Sequence, residues 1–452
     1  MNFDRTSAPV KTVLLLFLLL APAAAAKVET AGSPNIIIIL TDDMGYGDIG
    51  AYGNTLIRTP HIDAIAQRGV LLTNGYASAN VCTPSRAGLL TGRYAIRSGL
   101  AWKVVAAHDQ RSLPTGEETI AELVKRAAYR TAMVGKWHLG ALPASSPLQH
   151  GFDYFLGVPH SNDMPDFSLY EGDKLIERHV DQRSLTHRYT EAATAFISAS
   201  AGSPFLLYVA HTFPHIPLYA SQAFAGKSLA GAYGDVVEEI DWSTGEIVAE
   251  LRRNDLLDNT LIIFTSDNGP FFEGSTSGLK GGKGNAWEGG YRVPFIVSWP
   301  AAIAGGRTLD TLAINIDILP TIAQVVDRNP RAEIIDGRSL LPSLTKPDTD
   351  DNNRYFYYFN NEAIVGLRDE TWKFMTHAYY TGSIGSFEKF DQLPGFESPY
   401  DLLFHAKALS GESYSVADRK PETVARFKRE LQHRRKEFDF LRTRPPEKTY
   451  PN

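Results

Sequence analysis

The chain has 452 residues, 43% of them hydrophobic and 21% charged, a globular composition that excludes disorder, collagen and coiled coil as the main architecture. Its 45 Lys+Arg against 51 Asp+Glu leave a net charge of −6, which gives nucleic-acid binding no support. A single cysteine, Cys82, rules out an intrachain disulfide framework and a Cys-rich zinc site.

Residues 1–26 read as a Sec-type signal peptide. Arg5 and Lys11 give a weakly positive start, Val13 to Leu20 is an unbroken apolar run, and Ala21 to Ala26 ends in the small residues that suit signal peptidase. The alternative, an N-terminal membrane anchor, would need a span of ~20 apolar residues, and no other segment approaches that length either. Stable membrane insertion of the mature chain is therefore not expected. Export without disulfides or an Asn-x-Ser/Thr sequon points to a bacterial periplasmic or secreted protein.

Asn35 to Leu40 is a continuous aliphatic run, the pattern of a strand buried on both faces at the centre of an α/β sheet. Phe205 to Ala210, Leu261 to Thr265 and Phe295 to Trp299 repeat it. Helical patterns lie between: Thr119 to Ala128, Arg188 to Ser198 and Tyr233 to Arg253. This alternation predicts a layered α/β domain over residues 34–345 with a mixed, mostly parallel sheet sandwiched by helices. The polar stretch Lys346 to Arg354 reads as a linker. Beyond it, Tyr355 to Phe359, Ala363 to Leu367 and Trp372 to His377 predict short antiparallel strands. Pro421 to Phe438 predicts a helix with Val424, Phe427 and Leu431 on one face. Residues 354–452 are thus expected to form a small α+β subdomain. The basic run Lys428, Arg429, Arg434, Arg435 and Lys436 could meet an anionic polymer, but a solvated helix face is the ordinary explanation.

The chemistry-bearing residues follow strands. Ile36 to Leu40 leads into Thr41-Asp42-Asp43, and Leu261 to Thr265 into Ser266-Asp267-Asn268-Gly269. In open α/β sheets ligands bind at the carboxyl ends of strands. Three carboxylates and an amide brought together there make a hard-oxygen site suited to calcium, and less so to magnesium. Each Asp taken alone is as readily a turn or helix cap.

In Cys82-Thr83-Pro84-Ser85-Arg86, Pro84 suits a first helical turn and Ala87-Gly88-Leu89-Leu90 should continue it. Cys82 would then face free backbone N–H groups, with Arg86 one turn on, where a guanidinium can hold an oxyanion. A lone Cys is as readily a buried structural residue. In Lys136-Trp137-His138, an extended backbone would project Lys136 and His138 to one face. His215, in Phe213-Pro214-His215-Ile216-Pro217, follows another strand. Lys283 sits among glycines in Leu279 to Gly284, where an anion could approach closely, or which could be an ordinary surface loop.

Cys82-Thr83-Pro84-Ser85-Arg86 with Leu90-Thr91-Gly92-Arg93 resembles the signature of type I, formylglycine-dependent sulfatases, arylsulfatase-like members of the alkaline phosphatase superfamily. Asn35 through Gly45, Gly135 to Gly140, Pro214-His215, Ser266 to Gly269, Gly282 to Gly284 and Glu288-Gly289-Gly290 fall in family order. Leu367-Arg368 and Trp372-Lys373 resemble the family's small subdomain. The resemblance implies an alkaline-phosphatase-like fold and hydrolysis of a sulfate monoester to an alcohol plus inorganic sulfate. It implies that a separate formylglycine-generating maturation enzyme oxidises Cys82 to 3-oxoalanine (formylglycine), whose hydrate is the nucleophile. One Ca2+ would be held by Asp42, Asp43, Asp267, Asn268 and the modified Cys82. Arg86 would balance charge, Lys136 and Lys283 would grip the sulfate, His215 would protonate the leaving oxygen and His138 would act as base. Ser161, followed by Asn162 where some relatives have His, resembles a substrate-contacting position. His211 competes with His215, and the family's His-x-Pro pattern favours His215.

Two other functions compete with this one. A phosphomonoesterase or phosphonate ester hydrolase would share fold and metal. An inactive sulfated-glycan binding protein would result if Cys82 is never oxidised. The leaving-group side is expected in variable loops such as Ala101 to Asp109 and Asp163 to Arg183, where Trp102, Lys103, His108 and Tyr170 could read a sugar or simply pack.

Overall fold

A computed structural model describes residues 1, 32–346, 354–376, 401–407 and 411–441. The leader expected at 1–26 lies outside the described residues apart from Met1, as does most of the linker at 347–353.

The aliphatic runs become the middle of a ten-stranded sheet. Its strands are β1 (Asn35–Thr41), β2 (Val70–Tyr76), β3 (Arg130–Lys136), β4 (Tyr154–Val158), β5 (Leu169–Glu171), β6 (Lys174–Glu177), β7 (Phe205–Ala210), β8 (Thr260–Ser266), β9 (Phe295–Ser298) and β10 (Arg307–Ile314). Their order is β10-β2-β9-β8-β1-β7-β3-β4-β5-β6. The inner block β8-β1-β7-β3-β4 is parallel throughout, as is the β2–β10 pair. β9, although its apolar run looks like the others, is antiparallel to both β8 and β2. An aliphatic run reports burial on both faces and carries no information about chain direction.

Helices cover both faces: α1 (Pro60–Arg68), α2 (Cys82–Thr91), α3 (Ile120–Lys125), α4 (Leu185–Ser200), α5 (Gly231–Arg253), α6 (Glu288–Tyr291), α7 (Ile318–Val325) and α8 (Leu341–Thr345). Strand alternation divides the core. Ile36, Ile38 and Leu40 of β1 join the apolar side chains of α2, α3 and α7. Ile37 and Ile39 join those of α1, α4 and α5. Each fully buried Ile contributes on the order of 2 kcal/mol, which holds β1 at the centre. α3 is shorter than the pattern over Thr119 to Ala128 suggests. Thr119 and Glu122 form a capping box at its start, and Ala128 lies in the left-handed region at φ 62°.

The smaller sheet is antiparallel, in the order β11 (Phe356–Asn360), β12 (Ala363–Arg368), β13 (Trp372–Met375) and β14 (Leu402–His405). Helix α9 (Pro421–Asp439) buries Val424, Phe427, Leu431 and Phe438, and this sheet shares a core with one face of the large one. The end of the expected third strand, His377, lies outside the described residues. Of the basic run on α9, Lys428 pairs with Asp401 at 2.5 Å, Arg434 with Glu437 at 2.8 Å, and Arg435 donates to the Ile364 carbonyl at 2.7 Å. Arg354, at the end of the linker, is buried against Asp317 at 2.7 Å. Asp163 to Arg183 is not loop alone, since β5 and β6 extend the large sheet there and Tyr170 pairs across it with Gly157. Among the described residues no helix is long and apolar enough to cross a membrane.

Besides the shared core, a buried carboxylate ties the two sheets together. Glu288 accepts from the Tyr76 hydroxyl of β2 at 2.5 Å and from the Tyr358 hydroxyl of β11. Lys373 of β13 lies 3.3 Å away, Arg368 of β12 3.7 Å and Arg292 4.0 Å. Burial opposes its charge, but Lys373, Arg368 and Arg292 outweigh it and hold the carboxyl down at about 2.

Candidate active site

Because β8, β1, β7, β3 and β4 are adjacent and parallel, their carboxyl ends open on one edge. Asp42 and Asp43 follow β1, Asp267 and Asn268 follow β8, and His215 comes from the segment after β7. Lys136 closes β3, and Ser161 lies past β4. All of these side chains are buried. Cys82 opens α2 beside them, its Sγ 3.4 Å from Asp42 Oδ1 and 4.0 Å from Asp43 Oδ1.

Cations interlock with the carboxylates. Lys136 Nζ donates to Asp42 Oδ2 and, at 3.1 Å, to Ser161 Oγ. Lys283 Nζ donates to Asp43 Oδ2 at 2.7 Å. Arg86 donates through Nε to Asp267 at 2.9 Å and through Nη1 to the Lys136 carbonyl at 2.7 Å, with Nη2 3.6 Å from Asp42. Burial would raise the Asp42 carboxyl, yet Lys136, Arg86, His215 and Lys283 hold it well below the usual carboxylate range. Asp267 is pushed up to about 7 by burial and by the charge of Asp42. Burial also pushes the Cys82 thiol well up, against Lys136 and Lys283.

The oxygen-rich set fits a hard cation. Ligand atoms of Asp42, Asp43, Cys82 and His215 lie within 4.8 Å of one another. Asn268 Oδ1 is buried without a hydrogen-bond partner, while its Nδ2 donates to Asp43 Oδ1 at 2.7 Å. An orphaned buried carbonyl beside carboxylates is what a cation site leaves when described without its ion. Asp267 sits a step back, its Oδ1 accepting from the Asp43 backbone N–H at 3.1 Å.

The three histidines differ. His215 Nε2 lies 3.6 Å from Asp43 Oδ2 and 3.3 Å from Ser161 Oγ. Burial lowers it, against the pull of Asp43. His211 is fully buried with neither ring nitrogen hydrogen-bonded, and burial lowers it to about 4. His138 is not extended: β3 ends at Lys136 and the His138 backbone turns left-handed at φ 60°. Its Nε2 meets the Val105 carbonyl at 3.0 Å, so that nitrogen carries the proton and Nδ1, buried and unpartnered, keeps its lone pair.

Three contributors carry no role assigned from the sequence, although Asn162 stands where some relatives have His. Asn162 Oδ1 lies 3.0 Å from His215 Nδ1, and its Nδ2 donates to the Pro217 carbonyl at 3.0 Å and to the His215 carbonyl at 3.4 Å. Asp48 accepts from Gly45 N at 2.6 Å, Ser275 N at 2.7 Å and the Tyr233 hydroxyl at 2.5 Å, binding the loop after β1 to the loop before Lys283. Asn315 donates to Ser85 Oγ at 2.8 Å and fixes the first turn of α2. All three are polar residues in connections, and only the folded chain places them.

The sulfatase family model matches residues 34–327, and the model described as N-sulphoglucosamine sulphohydrolase, C-terminal, matches residues 282–393. Human steryl-sulfatase is 36% identical, over 80% of this chain and 78% of that protein. Bovine arylsulfatase A is 34% identical, over 94% of this chain and 92% of that protein. The crystal structure of the PsFucS1 sulfatase from Pseudoalteromonas sp. superposes with a TM-score of 0.81 at 25% identity, covering 92% of each chain.

Proposed function

The chain belongs to the sulfatase family and is a sulfuric ester hydrolase, and from that premise we propose that it hydrolyses an aryl sulfate, or the sulfate of a carbohydrate or glycolipid, with a nucleophile made from Cys82 and a bound calcium. The observation that carries the reading is the thiol itself, 3.4 Å from Asp42 in a ring of two lysines, an arginine and a histidine. Oxidation to 3-oxoalanine by a maturation enzyme would supply an aldehyde hydrate, one hydroxyl attacking sulfur and the other allowing the aldehyde to re-form as sulfate leaves. Asp42, Asp43, Asp267, Asn268 and an oxygen of modified residue 82 would hold the calcium, which polarises the sulfate when bound.

The remaining residues divide the work. Three carboxylates (Asp42, Asp43, Asp267) and three cations (Arg86, Lys136, Lys283) formally cancel, so a divalent cation and anionic esters enter a balanced site. Lys136 and Lys283 exchange their carboxylate contacts for sulfate oxygens. Arg86 keeps Asp267 and α2 in register. His215, with Lys283, protonates the leaving oxygen, and Ser161 links it to Lys136. His138, whose Nδ1 keeps its lone pair, would act as the base that accepts a proton. We read residues 34–345 as the catalytic unit, 354–452 as a smaller subdomain and 1–26 as a leader removed on export to a bacterial periplasm or beyond.

The first test is the mass of the tryptic peptide Gly69–Arg86 from natively produced protein, paired with turnover of aryl sulfate against aryl phosphate. An aldehyde or its hydrate, with sulfate strongly preferred, is expected. An intact thiol in active protein would exclude the mechanism, and a preference for phosphate would favour the phosphomonoesterase reading.

Asn162→Ala tests the orientation of His215. Removing the partner of Nδ1 should lower kcat/KM for an aryl sulfate by roughly 10- to 100-fold, the usual cost of losing a group that orients a catalytic ligand. Unchanged kcat/KM would mean that the Ile216 carbonyl, 2.5 Å from the same nitrogen, is sufficient.

A further inference from the structure

Among the described residues, Glu288-Gly289-Gly290 makes no hydrogen bond or ion pair with Cys82, Asp42, Asp43 or Asp267, yet it lies between the small sheet and the loop that carries Lys283. On one side, the Glu288 carboxylate is held by Tyr76, Tyr358, Lys373 and Arg368. The Glu288 backbone N–H donates at 2.9 Å to Glu412, which also pairs with Lys373 at 2.5 Å. On the other side, Gly289 N donates to the Lys280 carbonyl at 2.8 Å, and the Gly290 carbonyl accepts from Gly269 N, next to Asn268, at 3.0 Å.

No side chain fits in this layer. A Cβ on Gly289 would stand 2.3 Å from the Gly281 carbonyl oxygen, one on Gly290 2.6 Å from that of Gly282, and one on Gly269 1.8 Å from that of Gly289. The Lys283 loop is otherwise pinned by Lys283 N to the Pro270 carbonyl at 2.8 Å and Gly284 N to the Asn80 carbonyl at 2.9 Å.

We propose that Glu288 is a positioning residue for Lys283: the small sheet, gripping Glu288 through Tyr358, Arg368 and Lys373, sets the height of the glycine layer on which the lysine loop rests. The small sheet thereby takes part in the chemistry without contacting sulfate. The inference rests on the role of Lys283 proposed above, and a double-mutant cycle separates the two.

Kinetics on an aryl sulfate would be measured for the matured full-length enzyme and for Glu288→Gln, Lys283→Ala, Lys136→Ala and the two double variants that contain Glu288→Gln. Glu288→Gln should lower kcat/KM by about tenfold, the scale of losses at groups that orient a catalytic one. In the Lys283→Ala background it should add little, because the group it positions is gone. In the Lys136→Ala background its loss should multiply in full. Tyr358→Phe, which removes one bond to Glu288 and keeps the charge, should repeat this pattern at smaller amplitude, and it serves if Glu288→Gln folds poorly. Equal multiplication in both backgrounds, or an unchanged single variant, would overturn the positioning role. An unaffected Lys283→Ala would instead remove the premise that Lys283 acts on the substrate, and the inference with it.

Discussion

Cys82→Ala is expected to lower kcat/KM for an aryl sulfate by on the order of 10⁴-fold or more, the scale seen when a covalent nucleophile is deleted. The loss should fall on kcat. The substitution removes Sγ, or the hydrate oxygens once residue 82 is matured, and leaves Asp42, Asp43 and the cations around them in place, so the fold should survive it. The Lys136 and Lys283 contacts do not pass through this side chain, so the variant should still bind an aryl sulfate. Measuring kcat/KM, substrate affinity and the thermal midpoint together checks this. Appreciable turnover by a correctly folded Cys82→Ala protein would mean that another group attacks sulfur, and the proposed mechanism would have to be abandoned.

Arg86→Met should cost about 3–5 kcal/mol of stability and most of the activity, because removing one member of a buried ion pair leaves uncompensated charge. Arg86 is fully buried and ties α2 to the ends of two strands, through Asp267 at 2.9 Å and the Lys136 carbonyl at 2.7 Å. Methionine can occupy much of the aliphatic volume, but it supplies neither charge nor fork. Lysine would restore charge without the planar geometry that reaches carboxylate and carbonyl at once, so Arg86→Lys should recover only part of the loss. If Asp42 and Asp267 line a calcium site, added Ca2+ should raise the denaturation midpoint of Arg86→Met more than that of the parent, since the cation then neutralises carboxylates that the guanidinium no longer serves. A variant as stable as the parent would show that the buried pair merely balances its own desolvation. Equal calcium responses would count against Asp42 and Asp267 as cation ligands.

Local pattern and tertiary outcome agree where a residue's role depends on its immediate neighbours in the chain. Asn35–Thr41 is recognisable as a central strand because the side chains of its aliphatic run, Ile36 to Leu40, must all avoid water. Asp42 and Asp43 follow from where that strand stops. Cys82 and Arg86 can be placed together because helical spacing alone brings them to one end of α2. The parallel order of β8-β1-β7-β3-β4 then gathers those strand ends on one edge, as alternating strands and helices foretell.

Other features have no local signature. β9 looks like its parallel neighbours and runs the other way, because hydrophobic burial is blind to direction. His138 depends on a left-handed residue just past a strand end, which pattern reading treats as extended. Asn162 is one polar loop residue among many until the turn past β4 brings it to His215 Nδ1.

The layered α/β class, the strand-end carboxylates, the cysteine at a helix start and the family to which these belong are legible in the chain alone, since each is written in short-range periodicity or in a contiguous motif. The folded chain is needed to show which histidine faces Asp43, that Ser161 joins Lys136 to His215, and that Glu288 bridges Tyr76 of the large sheet and Tyr358 of the small one. Those arrangements pair groups from 25 to 212 positions apart, where contact is settled by chain packing and by the need of each buried charge for a partner.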